Sequence, residues 1–271
     1  PVSGPVRVSG VAPDAVTPDA TMLAQVTTPV QAGVTALQQN IIGVTQVGLD
    51  GTRVNIRARE TNLGNVAADS LLWQATLVAP QFGAPLPDVG LQNSGGIRNN
   101  NVIGPGNVSE FDTFSILAFN NFVCVVPGVP AAQFKEILEN AVSRVAQQDG
   151  RFAQVAGFRM VWDANGVAQI IDPVTGAITV PGTRVREVVL NDGTVIVRNG
   201  QVVPGARALN VATIDFSARG GDQYPFNGRP FITLGVTYQQ ALRNYIQQWL
   251  GGSITSQNYP VGGEGRIIRV N

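Results

Sequence analysis

At 271 residues, with 44% hydrophobic and 13% charged side chains and a formal net charge of zero, the chain has the apolar material for a substantial core. It lacks the basic field that would hold a nucleic-acid polymer or an anionic membrane. The total lack of histidine removes the side chain on which general-base catalysis, Ser-His-Asp triads and most catalytic metal centres rely. Neither a catalytic residue nor a metal ligand is therefore assigned, and the chain carries no apolar run approaching the ~20 residues of a membrane span.

In chain order, residues 1–19 form a Pro, Val, Ala and Ser mixture without helical or strand period and are read as a linker inside a longer protein. A helix is expected from Pro29, with Thr28 as its N-cap, ending near Asn40. Arg53 to Arg57 alternates after the Asp50-Gly51 turn signal, which predicts a strand with its arginines outward. Thr61 and Asn62 are capping candidates for a helix running to Leu77. Ser109 and Asp112 form a capping-box pattern for a short helix that delivers Phe119 into a loop. The apolar Phe122 to Val126 stretch makes its Cys124 a small buried hydrophobe. Phe134, Ile137, Leu138, Ala141, Val142 and Val145 fall on one face of a helix. The carboxylate pairs Glu110/Asp112 and Glu136/Glu139 fit a helix start and a solvated helix face, with no chemistry attached.

From Phe158 to Phe216 the period drops to two. Met160 to Trp162, Val167 to Ile171, Val185 to Leu190, Thr194 to Val197 and Asn210 to Ile214 read as strands, with Asn165-Gly166 and Asp192-Gly193 as hairpin signals. A last amphipathic helix carries Tyr238, Ala241, Leu242, Tyr245, Ile246, Trp249 and Leu250, and a strand over Arg266 to Val270 closes the chain.

Polar and aromatic signatures remain that these elements do not use. Asn93-Ser94-Gly95-Gly96-Ile97-Arg98 couples two glycines, which allow close backbone approach, with an amide and a guanidinium that donate to oxygen. Phe216-Ser217-Ala218-Arg219-Gly220-Gly221-Asp222 ends in a carboxylate able to accept from two vicinal hydroxyls. Phe119 and Phe216 lie at the ends of apolar runs beside these loops, where two rings can clamp a base or simply pack in a core.

The collinear order of Glu60-Thr61-Asn62-Leu63-Gly64-Asn65, Asn93 to Arg98, Phe119, the helix Phe134 to Val142, Gly150 to Phe158, Gly220-Gly221-Asp222 and Glu264-Gly265-Arg266-Ile267 resembles the C-terminal domain of the 5'-nucleotidase family. The resemblance implies an α/β (α+β) fold of mixed β-sheets flanked by helices in layers, occupying residues 20–271. It implies recognition of a nucleoside or nucleotide by this domain. The parent protein would be a phosphoric ester hydrolase whose two divalent metal ions sit in an N-terminal metallophosphoesterase domain of the same chain. A periplasmic, cell-surface or extracellular location is implied as well. Carried over by position, Phe119 and Phe216 stack on the base, Asp222 accepts from the ribose hydroxyls, and Arg57, Asn93 and Arg98 hold the sugar and phosphate side. Ser94, Ala118 and Arg219 depart from the family pattern, and Arg219 either adds a phosphate contact or crowds the base. The alternative is a catalytically inactive nucleotide-binding or surface-adhesion module of the same fold.

Overall fold

A computed structural model describes residues 6–7 and 15–271; most of the expected 1–19 linker lies outside the described residues. Five strands form the central sheet in the order Ile232–Thr237, Phe122–Val129, Leu209–Ile214, Val89–Asn93, Ala153–Ala156. The strands Leu209–Ile214 and Val89–Asn93 run parallel, and the other neighbours are antiparallel. The inner strands of this sheet are buried on both faces, so Phe122–Val129 is an apolar run rather than an alternating one. Cys124 and Val126 enter one core cluster, whereas Val123 and Val125 enter the other. Burial pushes the Cys124 thiol far above its usual range.

The first cluster joins the central sheet to the helix Ala131–Ala141 and to a second five-stranded sheet. In that outer sheet Phe158–Asp163 pairs with Val185–Leu190 and, in parallel, with Ile267–Val270. The second cluster seats the helices Asn62–Val78 and Tyr238–Asn244 on the opposite face. Mixed sheets flanked by helices are thus the observed architecture.

Several boundaries differ from the sequence reading. The residues Arg53–Ile56 form a helical turn, not a strand. Asp50 decides this locally, because its carboxylate accepts from Thr52 N, Thr52 Oγ1 and Asn55 Nδ2 and so rewards a turn over an extended chain. The helix expected at Pro29 begins at Ala20, where Asp19 accepts from Met22 N at 2.8 Å. It passes through a π-turn at Leu23–Thr27 just ahead of Pro29, a ring that has no N–H to give the helix ladder.

Asn165-Gly166 is a turn that leaves the outer sheet instead of a hairpin: the strand after it shrinks to Ile170–Ile171 and pairs with Ile178–Val180. Asp192-Gly193 does connect the paired strands Val185–Leu190 and Val195–Arg198. The last helix loosens into a π-turn at Tyr245–Trp249, which leaves Trp249 64% exposed.

Glu139, expected on a solvated face, is buried. It accepts from Lys135 Nζ at 2.7 Å and from the backbone N–H groups of Arg184 and Val185 at 2.9 and 3.0 Å. The carboxylate therefore anchors the loop that enters the outer sheet. Replacing Glu139 with Ala strands one buried and two part-buried donors, so the Glu139→Ala chain should lose about 3 kcal/mol of stability in urea unfolding. A loss below about 0.5 kcal/mol, the usual surface value, would refute this role.

Candidate functional site

Strand direction brings four loops to one end of the central sheet. Asn93 pairs with Ala153 and Ile214 with Val123. The ends of Val89–Asn93 and Leu209–Ile214 therefore lie beside the starts of Ala153–Ala156 and Phe122–Val129. Because adjacent strands sit about 4.8 Å apart, the loops carrying Asn93 to Arg98, Phe119 to Asn121, Gly150 and Phe216 to Asp222 are forced together. They enclose a cavity of ≈ 290 Å³, near the lower end of small-molecule sites. Arg57, Asn93, Arg98, Phe119, Phe216 and Asp222 all line it.

Each loop is fixed by identifiable contacts. Phe119 and Phe216 are 49% and 41% exposed, so neither is a core ring. The Phe119 N–H donates to Tyr238 Oη at 2.9 Å, and that hydroxyl donates to the Gly96 carbonyl at 3.3 Å. Phe216 sits in the turn Asp215–Ala218, whose Asp215 accepts from Phe122 N at 2.9 Å. A Cβ on Gly221 would meet the Phe216 ring at 2.5 Å and the Phe216 carbonyl at 2.6 Å, which explains the glycine there. Asp222 follows in the left-handed region, φ 51°. Its carbonyl accepts from Asn140 and its carboxylate from Asn93 Nδ2 at 2.7 Å.

Arg57 is 7% exposed, facing the cavity instead of bulk solvent. Gln154 sets it there by donating to the carbonyls of Ile56 and Arg59, at 2.9 and 2.8 Å; Gly64 leaves Gln154 its space. Arg57 Nη1 donates to the Gln148 carbonyl at 3.2 Å, while its buried Nε has no partner among the described residues. Burial lowers the Arg57 pKa, and the nearby Arg53 and Arg98 add to that, against Asp149 and Asp222. The guanidinium remains cationic. Arg98 lies over Phe119, with Cζ 5.5 Å from the ring centroid.

Arg219 packs against its own neighbours. It lies 4.9 Å over Phe231 and 3.8 Å from Asp215 and does not line the cavity. Ser94 is buried, its hydroxyl on the Gly150 carbonyl. The glycine pair Gly95-Gly96, read as allowing close backbone approach, lines the cavity as well, whereas the sequence reading gave Asn121 and Gly150 no lining role. Gly150 was signalled by its place before Arg151, whose guanidinium holds Asn140, Asp149 and Gln223 around the Asp222 loop.

A domain of mixed sheets with an aromatic, cationic and carboxylate cavity at one sheet end defines the class: an α/β domain with a cavity of small-molecule size. The profile of the family described as "5'-nucleotidase, C-terminal domain" matches residues 41–228, and the chain belongs to that family. It is 34% identical over 189 residues to the trifunctional nucleotide phosphoesterase protein YfkN of Bacillus subtilis, covering 68% of this chain and 11% of that protein. The 5'-nucleotidase precursor of Thermus thermophilus superposes with TM-score 0.71 and 26% identity, over 94% of this chain and 44% of that one. An NAD nucleotidase of Haemophilus influenzae, 17% identical, shares the fold with TM-score 0.63, over 94% of this chain and 42% of its own. The chain thus spans less than half the length of each of these relatives.

Tyr238 links the Phe119 loop to the Gly96 turn, and burial pushes its phenol up to about 12 despite the Phe119 N–H and Arg98, which pull the other way. The ordinary value is about 10, so the neutral phenol's stabilising contribution is full below about pH 10 and is lost as pH rises through about 12. Tyr238→Phe should lower stability by about 1–2 kcal/mol at neutral pH and flatten the alkaline loss between those limits. Chemical unfolding across that range checks both, and an unchanged alkaline slope would refute the titration.

Proposed function

We propose that this chain is the substrate-recognition domain of an enzyme that hydrolyses the phosphate ester of nucleotides. The base lies between Phe119 and Phe216, Asp222 accepts from the vicinal ribose hydroxyls, and Arg57, Asn93 and Arg98 hold the sugar and phosphate side. One observation carries this reading: two half-exposed rings, a carboxylate and a buried guanidinium with an unpartnered Nε line one cavity. The rings supply stacking area, at ~1–3 kcal/mol per stacked base. The carboxylate and guanidinium then fix which end of the ligand faces which loop.

The residues of this chain do not fit a hydrolytic metal centre. Among the described residues no three His, Cys, Asp or Glu side chains group as a metal ion needs, and the sequence has no histidine. The two divalent ions that family membership suggests belong to a domain N-terminal to this one, which would polarise the phosphate and activate water. This chain's own part is to bind and orient. The parent's setting in this reading is periplasmic, cell-surface or extracellular; no helix among the described residues is long and apolar enough to cross a membrane.

Calorimetric titration of the chain with adenosine and AMP tests the reading. Phe216→Ala should weaken both ligands by about 5- to 100-fold, the equivalent of one lost stacking partner. Arg57→Met should weaken AMP more than adenosine. Equal, unchanged affinities in the two variants would remove the proposed site.

A further inference from the structure

Behind the cavity wall lies a polar residue that neither lines it nor serves the core. Gln92 is 0% exposed, within the central sheet. Its Nε2 donates to the Asn93 carbonyl at 2.8 Å and to Asn93 Oδ1 at 3.0 Å, while its Oε1 has no hydrogen-bond partner among the described residues. A buried, unpaired amide oxygen is unfavourable by about 1–3 kcal/mol, which an apolar residue at the same place would avoid. Such a group in a core calls for an account other than stability.

The account follows from donor and acceptor chemistry. An ionised Asp222 only accepts, so the atom of Asn93 that faces Asp222 Oδ2 at 2.7 Å has to be the NH₂ group. The other end of that amide, Oδ1, then needs a donor, and Gln92 Nε2 is that donor. Gln92 thereby selects one of the two amide orientations of Asn93. With the amide turned over, Oδ1 would face the carboxylate, two acceptors in contact. Gly96 belongs to the same arrangement: a Cβ there would stand 2.5 Å from Gln92 Nε2 and 3.2 Å from Asn93 Oδ1, enough to push the Gln92 amide off its partner.

We infer that Gln92 is a positioning residue which, through Asn93, aims the Asp222 carboxylate and so sets the discrimination of the site for ligands with vicinal hydroxyls. The inference rests on the assignment of Asp222 as the ribose acceptor. The hydrogen-bond relay runs Gln92 to Asn93 to Asp222. Its far end presents the remaining carboxylate lone pairs to the ligand, in a left-handed loop that Asn140 and Arg151 hold from behind.

The test is calorimetric titration of the chain with adenosine and with 2',3'-dideoxyadenosine, which lacks both hydroxyls. The unsubstituted chain should bind adenosine on the order of tenfold more tightly or better. Gln92→Met, of similar length and unable to donate, should lose most of that ratio through adenosine alone, with dideoxyadenosine changed by less than about twofold. In an Asn93→Ala background the same substitution should have no further effect, because the relay is already cut. Gln92→Glu should lose the ratio at about pH 8 and regain part of it at about pH 5.5, where a buried carboxyl is protonated and donates. That pH dependence reports on donation and not on packing, and it serves if the Met variant fails to fold. No preference for adenosine in the unsubstituted chain would end the Asp222 assignment itself. A preference that persists in both the Met and the Glu variants would overturn the relay while leaving that assignment intact.

Discussion

The central sheet is the constraint on which the site depends. Four neighbouring strands, Phe122–Val129, Leu209–Ile214, Val89–Asn93 and Ala153–Ala156, are so directed and ordered that their connecting loops meet at one end. No loop could be placed there by its own sequence, since the residues it meets are tens to more than a hundred positions away. Burial on both faces fixes the registers, because a one-residue slip would exchange the two core clusters.

Above that end, polar groups convert proximity into shape. Asp222 sits at a backbone conformation that disfavours a side chain, and it is retained there by Asn140 on its carbonyl, Asn93 on its carboxylate and Arg151 on the adjoining Gln223. Tyr224 closes this loop by donating to the Arg151 carbonyl at 2.6 Å. Gly95 and Gly150 approach so closely that a Cβ on either would meet the other's Cα, at 3.1 and 2.9 Å. Glycine is demanded there by space, whereas at Gly220, φ 93°, it is demanded by the backbone.

A second set of family residues has no part in the cavity. Glu60 accepts from the N–H groups of Glu264, Arg266 and Ile267, and Asn65 donates to it at 2.7 Å. Arg266 in turn makes a two-pronged pair with Asp69. The segments Glu60 to Asn65 and Glu264 to Ile267, far apart in the chain, are thus one clasp that holds the last strand onto the outer sheet. Their shared appearance with the cavity loops in one collinear pattern reflects a common fold requirement, not a common chemical one.

The sequence was legible where a local rule had no competitor. Thr61 and the Ser109/Asp112 capping box start their helices where the pattern placed them, and the stripe from Phe134 to Val145 is buried throughout, although its helix ends at Ala141 and Val145 opens a separate 3-10 turn. It misled where a side chain overrode the pattern. Alternation at Arg53 to Arg57 mimicked a strand that Asp50 converts into a turn, and Glu139 looked solvated because its two backbone donors come from a loop some 45 positions on.

By itself, then, the chain's order of residues determined most of its elements, its apolar faces and, through family resemblance, six of the side chains that line the cavity. Only the tertiary structure decided that Arg57 turns inward, that Arg219 turns away to Phe231, and that Gln92 stands behind Asn93 with one oxygen unpaired. The physical reason is that burial and hydrogen-bond partnership are properties of what folding brings alongside a residue. No local period or spacing encodes the neighbour across a strand pair.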